Sequence, residues 1–222
     1  MFHKYEAFLD RQAALAREAE DRPGLTARGA CLWRALRVPP ESVREFWWLY
    51  LGLWVVLSVW GGSYMLKSLH DLGWSPGLLH HVNLPFHEAG HVVFGIFGSF
   101  IRSLGGTLGQ LLMPIICAAA LLRTRGDTFG ASVCLWWFGQ NFLDIAPYMA
   151  DARAGRLPLL GGNFGRSSPY GFHDWEYILG ETGLLAHDTT LAAITLYSGR
   201  LIMLLALVWA AWLLWRARFP ED

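Results

Sequence analysis

The stretch Pro85-Phe86-His87-Glu88-Ala89-Gly90-His91-Val92-Val93-Phe94-Gly95-Ile96-Phe97-Gly98-Ser99-Phe100 carries two patterns at once. Most of it is apolar, and inside it stands H-E-x-x-H, with Glu88 between His87 and His91. On a helix, residues four apart lie on one face, a turn from each other. His87 and His91 therefore point two imidazoles at one point in space, as two ligands of one metal ion do. Glu88 stands beside the first of them, where a general base takes a proton from an attacking water. Pro85 suits the start of such a helix, which runs to about Phe100, with Arg102, Gly105 and Gly106 at its end.

Outward from this stretch the chain is short of charge. Of its 222 residues, 54% are hydrophobic and 16% charged, and the formal net charge is zero; soluble domains carry about 25% charged residues. Charge-free runs lie between Glu45 and Lys67 and between Arg102 and Arg123. Each approaches the roughly 20 apolar residues that span a bilayer. The expectation is an all-α, multi-pass membrane bundle of about four to five membrane helices, in contact with lipid. No basic patch points to nucleic acid. The three cysteines, Cys31, Cys117 and Cys134, are odd in number and lack metal-site spacing, so neither a disulfide framework nor a Cys-based zinc site is expected.

Residues 1–45 read as a polar, basic segment with a short amphipathic helix, and residues 46–218 as the membrane-embedded domain. Lys4, Arg11, Arg17, Arg22, Arg28, Arg34, Arg37 and Arg44 crowd the first segment, which places the N-terminus on the cytoplasmic side of a plasma or inner membrane. Pro39-Pro40 stops any helix there, and the first membrane helix spans 47–66 between aromatic belts. Residues 67–84, with His70, Asp71, His80 and His81, read as a polar loop. A second apolar helix covers about 107–122 and a third 130–151, the latter carrying Gln140, Asn141, Asp144 and Asp151. Carboxylates within a membrane helix are costly and imply a partner; here that partner is the metal of His87 and His91. The segment 152–188 is a long Gly-rich loop that folds over the site, and its His173-Asp174 pair is a candidate ligand or acid. A last helix fills about 189–215.

With these residues in hand, the chain resembles the site-2 protease family of intramembrane zinc metalloproteases over roughly residues 83–152. The H-E-x-x-H helix comes first. Gly105-Gly106-Thr107-Leu108-Gly109-Gln110 follows, similar to the family's G-P-x-x-N region without its Pro and Asn. Last is a helix with Asn141, Pro147 and Asp151, where the family's Leu-Asp-Gly is replaced by Met149-Ala150-Asp151-Ala152. The resemblance implies a zinc metalloendopeptidase: His87, His91 and Asp151 hold Zn²⁺, Glu88 is the base, and Asn141 hydrogen-bonds the substrate or the oxyanion. The substrate is then a membrane-spanning or membrane-adjacent peptide. A non-catalytic membrane subunit with a structural metal site, and a metal or ion transporter, are the readings from other classes.

Two topologies bear on the third ligand. If the motif helix and the next both cross the bilayer fully, His87 and Asp151 stand at opposite faces, about 30 Å apart, and Asp144 is the nearer carboxylate. If the motif helix is short and re-entrant, His87, His91, Asp151 and the His173 loop gather on the outer side. Asp151, Asp144 and His173 all remain candidates. The shared-side arrangement is favoured because it collects every polar candidate around one site.

Overall fold

The computed structural model describes residues 35–160, 163–165 and 173–219. Of the basic segment read over residues 1–45, residues 1–34 therefore lie outside the described residues. From Pro39 onward the chain forms one compact unit of eight α-helices among the described residues: α1 (Glu41–Glu45), α2 (Trp47–Met65), α3 (Leu69–Trp74), α4 (Leu78–Phe94), α5 (Ser99–Arg125), α6 (Thr128–Ala150), α7 (Asp174–Glu181) and α8 (Asp188–Arg218). The described residues contain no strand, only one isolated antiparallel bridge between Pro158 and Phe164.

Local chemistry sets the ends of these helices. Ser68 and Asp71 form a reciprocal capping box at the start of α3. Asp127 accepts from Gly130 N at 2.7 Å to open α6, and Gly126 closes α5 in the left-handed region. A 3₁₀ turn, Gly95–Phe97, follows α4, and Gly98, at φ +99°, breaks it before α5.

Several expected boundaries move. Residues 67–84 are not a loop: they hold α3 and the first two turns of α4. Pro85 lies inside α4 rather than at its start. A proline interrupts a single backbone hydrogen bond, and the packing of α4 against α5 and α6 outweighs that loss. Arg102, Gly105 and Gly106 do not end a helix; they sit in the first turns of α5, which starts eight residues earlier than expected.

Three helices are long and apolar enough to cross a membrane: α2, α5, and α8 with its preceding turn, Leu185–Arg218. Large apolar side chains on them face outward, among them Val59, Ile116 and Val208. By contrast α6, 23 residues long, is wrapped by its neighbours and buries Gln140 and Asn141. Its Trp136 and Leu143 meet Met203 and Leu207 of α8 and Leu57 of α2 in the largest apolar cluster.

The hydrogen bonds give the helix directions. Trp47 Nε1 donates to Leu214 O and Trp54 Nε1 to Leu207 O, both at 2.9 Å, so α2 and α8 are antiparallel. Gly139 lies beside Gly199, and Arg153, just past α6, pairs with Asp188 at the start of α8, so these two helices are antiparallel as well. A two-residue turn reverses α5 into α6. The end of α2, the start of α5, the end of α6 and the start of α8 therefore share one end of the bundle. It follows that α4, connected by short segments to α2 and α5, enters and leaves at that same end.

Candidate metal centre

His87 and His91 project from one face of α4 toward α5. The approach is close because glycines line the contact. A Cβ on Gly90 would collide with the carbonyl of Gly105, and one on Gly106 would stand 2.5 Å from His87 Nε2 and 2.7 Å from His91 Cε1. Small residues of this kind let helix backbones meet; here they also leave room for two imidazole rings.

Each ring spends its Nδ1 on the protein. His87 Nδ1 lies 3.0 Å from Gln110 Oε1, and His91 Nδ1 lies 2.8 Å from the Arg102 carbonyl. A carbonyl accepts only, so His91 carries its proton on Nδ1, and the side-chain oxygen of Gln110 orders His87 in the same way. Partners of this type fix tautomer and orientation in metal-ligating histidines. Both Nε2 atoms then face one carboxylate oxygen: Asp174 Oδ2 is 3.2 Å from each. The three donor atoms lie within 4.8 Å of one another. Donors about 2.0–2.1 Å from a tetrahedral zinc stand roughly 3.3 Å apart, so this donor set fits such an ion with little movement.

Asp174 arrives on α7, and His173 holds that helix in place. The His173 ring accepts from Glu176 N through Nδ1 at 3.4 Å and donates through Nε2 to the Asp151 carbonyl at 3.2 Å. Tyr177 adds a hydrogen bond to Ser99 at the start of α5, 3.0 Å long. Burial works to raise the Asp174 carboxyl, but the hydrogen bonds of His87 and His91 outweigh it and hold it down at about 2. The same contact, against the opposing effect of burial, raises His91 to about 9. The cluster thus holds a proton where a cation would balance the carboxylate.

A cavity of about 460 Å³ opens on this cluster, and Glu88 lines it together with the three donors. At its other end stand His80 and Asp144, 2.9 Å apart.

The residues singled out in the sequence fall into separate places. His87, Glu88 and His91 line one cavity. Asp151, expected as the third ligand, does not join them. Its Oδ2 accepts from Arg156 N at 2.7 Å and Leu157 N at 2.8 Å, so this carboxylate closes the turn after α6. Asp174, one of the pair read as a candidate ligand or acid, stands beside the two histidines where Asp151 was expected. Asp144 is bound to His80 and Asn83 rather than to the motif histidines. Asn141 is fully buried, donates to the Trp137 carbonyl at 3.0 Å and does not line the cavity. Gln110 closes the Gly-containing region of the sequence, and nothing in its spacing announces its bond to His87.

Fold and site together define an all-helical protein with apolar helices of membrane length and a His-His-Asp group of metal-ligating geometry. Comparison of the chain with protein-family models, with curated proteins and with solved structures found no match.

Proposed function

We propose that the chain is a membrane-embedded zinc metallopeptidase, similar in arrangement to site-2 proteases, with His87, His91 and Asp174 as its ligands. One observation carries this reading: two histidines with their Nδ1 atoms committed to protein acceptors turn both Nε2 atoms to one carboxylate oxygen, beside Glu88 in an open cavity. Two nitrogens and one oxygen are a common donor set for catalytic zinc, which keeps a fourth position open. Bound there, zinc supplies Lewis acidity toward the attacking water and the scissile carbonyl. Glu88 accepts the proton of that water as its oxygen adds to the carbonyl carbon. The same carboxyl then returns the proton to the amide nitrogen, which leaves with the electron pair of the broken C–N bond. The Gln110 and Arg102 acceptors keep the two imidazoles oriented throughout.

The membrane reading rests on α2, α5 and α8, with α6 as a fourth, inner crossing and α4 as a re-entrant helix. Non-helical or short elements are tolerated at depth where protein or a water-filled cavity lines them, and the cavity beside α4 meets that condition. Arg44, Arg123, Arg125, Arg216 and Arg218 lie at the end away from the site and Lys67, Arg102, Arg153 and Arg156 at the site end. The basic residues crowded before the first membrane helix tip the balance, and the positive-inside rule places the end away from the site in the cytoplasm. The site then opens toward the opposite face, where it meets membrane-adjacent peptide segments.

The test is metal content and peptide cleavage by the purified protein in detergent. The parent is expected to hold about one zinc and to cleave. Glu88→Gln is expected to keep the zinc and lose about a hundred- to ten-thousand-fold in rate. His87→Ala with His91→Ala is expected to lose both. Undiminished turnover by Glu88→Gln would remove the hydrolase reading and leave a structural or transport role for the metal.

A further inference from the structure

The cavity has a second polar end that the proposed chemistry does not use. His80 lies seven positions before His87 on α4, so both face the same side of the helix. The rise between them is about 10 Å. Leu84 lies between them on that face, and Ile145 of α6 completes an apolar stretch of wall.

His80 is held in position by a chain of buried groups. Its Nδ1 is 2.9 Å from Asp144 Oδ1. Asn83 donates to Asp144 Oδ2 at 3.1 Å and to Gln140 Oε1 at 3.0 Å, and Trp137 Nε1 donates to Asn83 Oδ1 at 2.8 Å. Asn83 and Gln140 are almost completely buried. Buried networks whose members are all paired are rigid and costly to disturb. This one reaches the cavity wall at His80 and Asp144. Asp144 commits one oxygen to His80 and the other to Asn83, so its charge is engaged within the wall. His80 keeps Nε2, which donates whenever the ring carries both protons. His81 lines the same end, and no Lys or Arg lines the cavity among the described residues.

We propose that His80, held by Asp144, is a specificity subsite of the peptidase described above, and that it takes a carboxylate carried by the substrate about three residues from the scissile bond. The inference rests on that peptidase reading. Extended chain rises about 3.3 Å per residue, so a peptide with its scissile carbonyl near His87 and His91 reaches His80 after about three. The apolar wall between the two ends takes the intervening side chains. The expected substrate therefore has apolar residues next to the cut and an acidic group beyond them. An acidic side chain and a free chain terminus offer the same carboxylate.

The experiment uses the full-length protein with bound zinc and quenched-fluorescence peptides of apolar residues. Each peptide carries a single Glu or Gln at one of four positions on either side of the cut, and a further pair ends in a free carboxylate or an amide at the preferred distance. The parent is expected to favour Glu over Gln about tenfold in kcat/KM at one position, the size of a hydrogen bond to a charged group. The terminal pair then says which source of carboxylate is taken. In His80→Ala the Glu-to-Gln ratio is expected to fall to about one with zinc content kept. Asp144→Asn, which leaves the ring in place but removes its anionic anchor, is expected to fall between the two. If His80→Ala does not fold, His80→Gln is read in the same way. A parent without positional preference, or a preference that survives loss of His80, overturns the subsite alone. A zinc-loaded parent that cleaves none of the peptides overturns the peptidase reading, and the subsite with it.

Discussion

Gly106 of α5 lies against the imidazole of His87 so closely that a Cβ at position 106 would stand 2.5 Å from Nε2 and 2.6 Å from Cε1 of that ring. The neighbouring helix is thus shaped to the imidazole and leaves no room for a side chain between backbone and ring. Gly106→Ala has two effects of opposite sign. Alanine favours the helix by about 1 kcal/mol, while its methyl group pushes aside both rings. The expected outcome is a helical, folded protein whose zinc affinity falls about tenfold or more, comparable to losing an orienting partner. Circular dichroism and zinc titration on the same sample check it; parent-like affinity would show that the rings adjust without cost.

Asp174 and Asp151 are predicted to part company on substitution. Asp174→Ala removes one of three donor atoms and is expected to leave zinc weakly held or absent. Asp151→Ala removes the acceptor of two backbone N–H groups in a buried turn. Leaving them unpaired costs about 1–3 kcal/mol each at most, so a lower melting temperature with zinc still bound is expected. Metal analysis and thermal denaturation of the two variants side by side decide the matter. Zinc lost from Asp151→Ala at a temperature where that variant is folded would reassign the ligand.

The difference between those two aspartates also shows where sequence reading stops. The H-E-x-x-H triplet was legible because its geometry is local: helical spacing alone puts His87 and His91 together. For the same reason the apolar runs mark α2 to within one residue and α8 to within three. The partner of the two histidines lies 83 positions beyond His91, and no periodicity connects such positions. The resemblance to a known family pointed to Asp151, at the end of a membrane helix, whereas the fold brings in Asp174 from the short helix that follows the loop. The cue was present in His173-Asp174-Trp175, since a residue that caps a helix fixes the side chain next to it. Gly105 and Gly106 misled for a physical reason. Glycine weakens an isolated helix, but at a close helix contact its missing side chain is what lets α4 and α5 meet.

Gln110 is predicted to matter for metal binding without touching the metal. Its Oε1 is the acceptor that holds the proton on His87 Nδ1. Gln110→Leu keeps similar volume and removes that acceptor. Zinc affinity is expected to fall about ten- to a hundred-fold, the usual effect of losing an orienting partner, whereas Gln110→Glu, which still accepts, is expected to stay nearer the parent. Competition with a chelator of known affinity measures both. Equal affinity in the leucine variant would mean that packing alone orients the ring.

Against the opposing effect of burial, the hydrogen bonds of His87 and His91 hold Asp174 down at about 2, and its carboxylate raises His91 to about 9, from ordinary values of 3.8 and 6.5. For the carboxylate, whose value is depressed on folding, the stabilisation is present above 3.8 and is lost as pH falls through about 2. For the imidazole, whose value is raised, it is fully present below 6.5 and is lost as pH rises through about 9. The metal-free protein should therefore hold the benefit of the contact between about pH 4 and 6.5, and lose it progressively toward pH 9. Zinc binding has the opposite slope, because the ion must displace the His91 proton. Its apparent affinity should rise from pH 6.5 to 9, with proton release on binding near neutrality. The gap in melting temperature between zinc-loaded and chelator-treated protein should widen over the same interval. Melting curves at several pH values, with calorimetry in two buffers of different ionisation enthalpy, measure both. A gap that narrows as pH rises, or zinc binding that releases no proton at pH 7, would mean that His91 is not the protonated partner of Asp174 that the ion replaces.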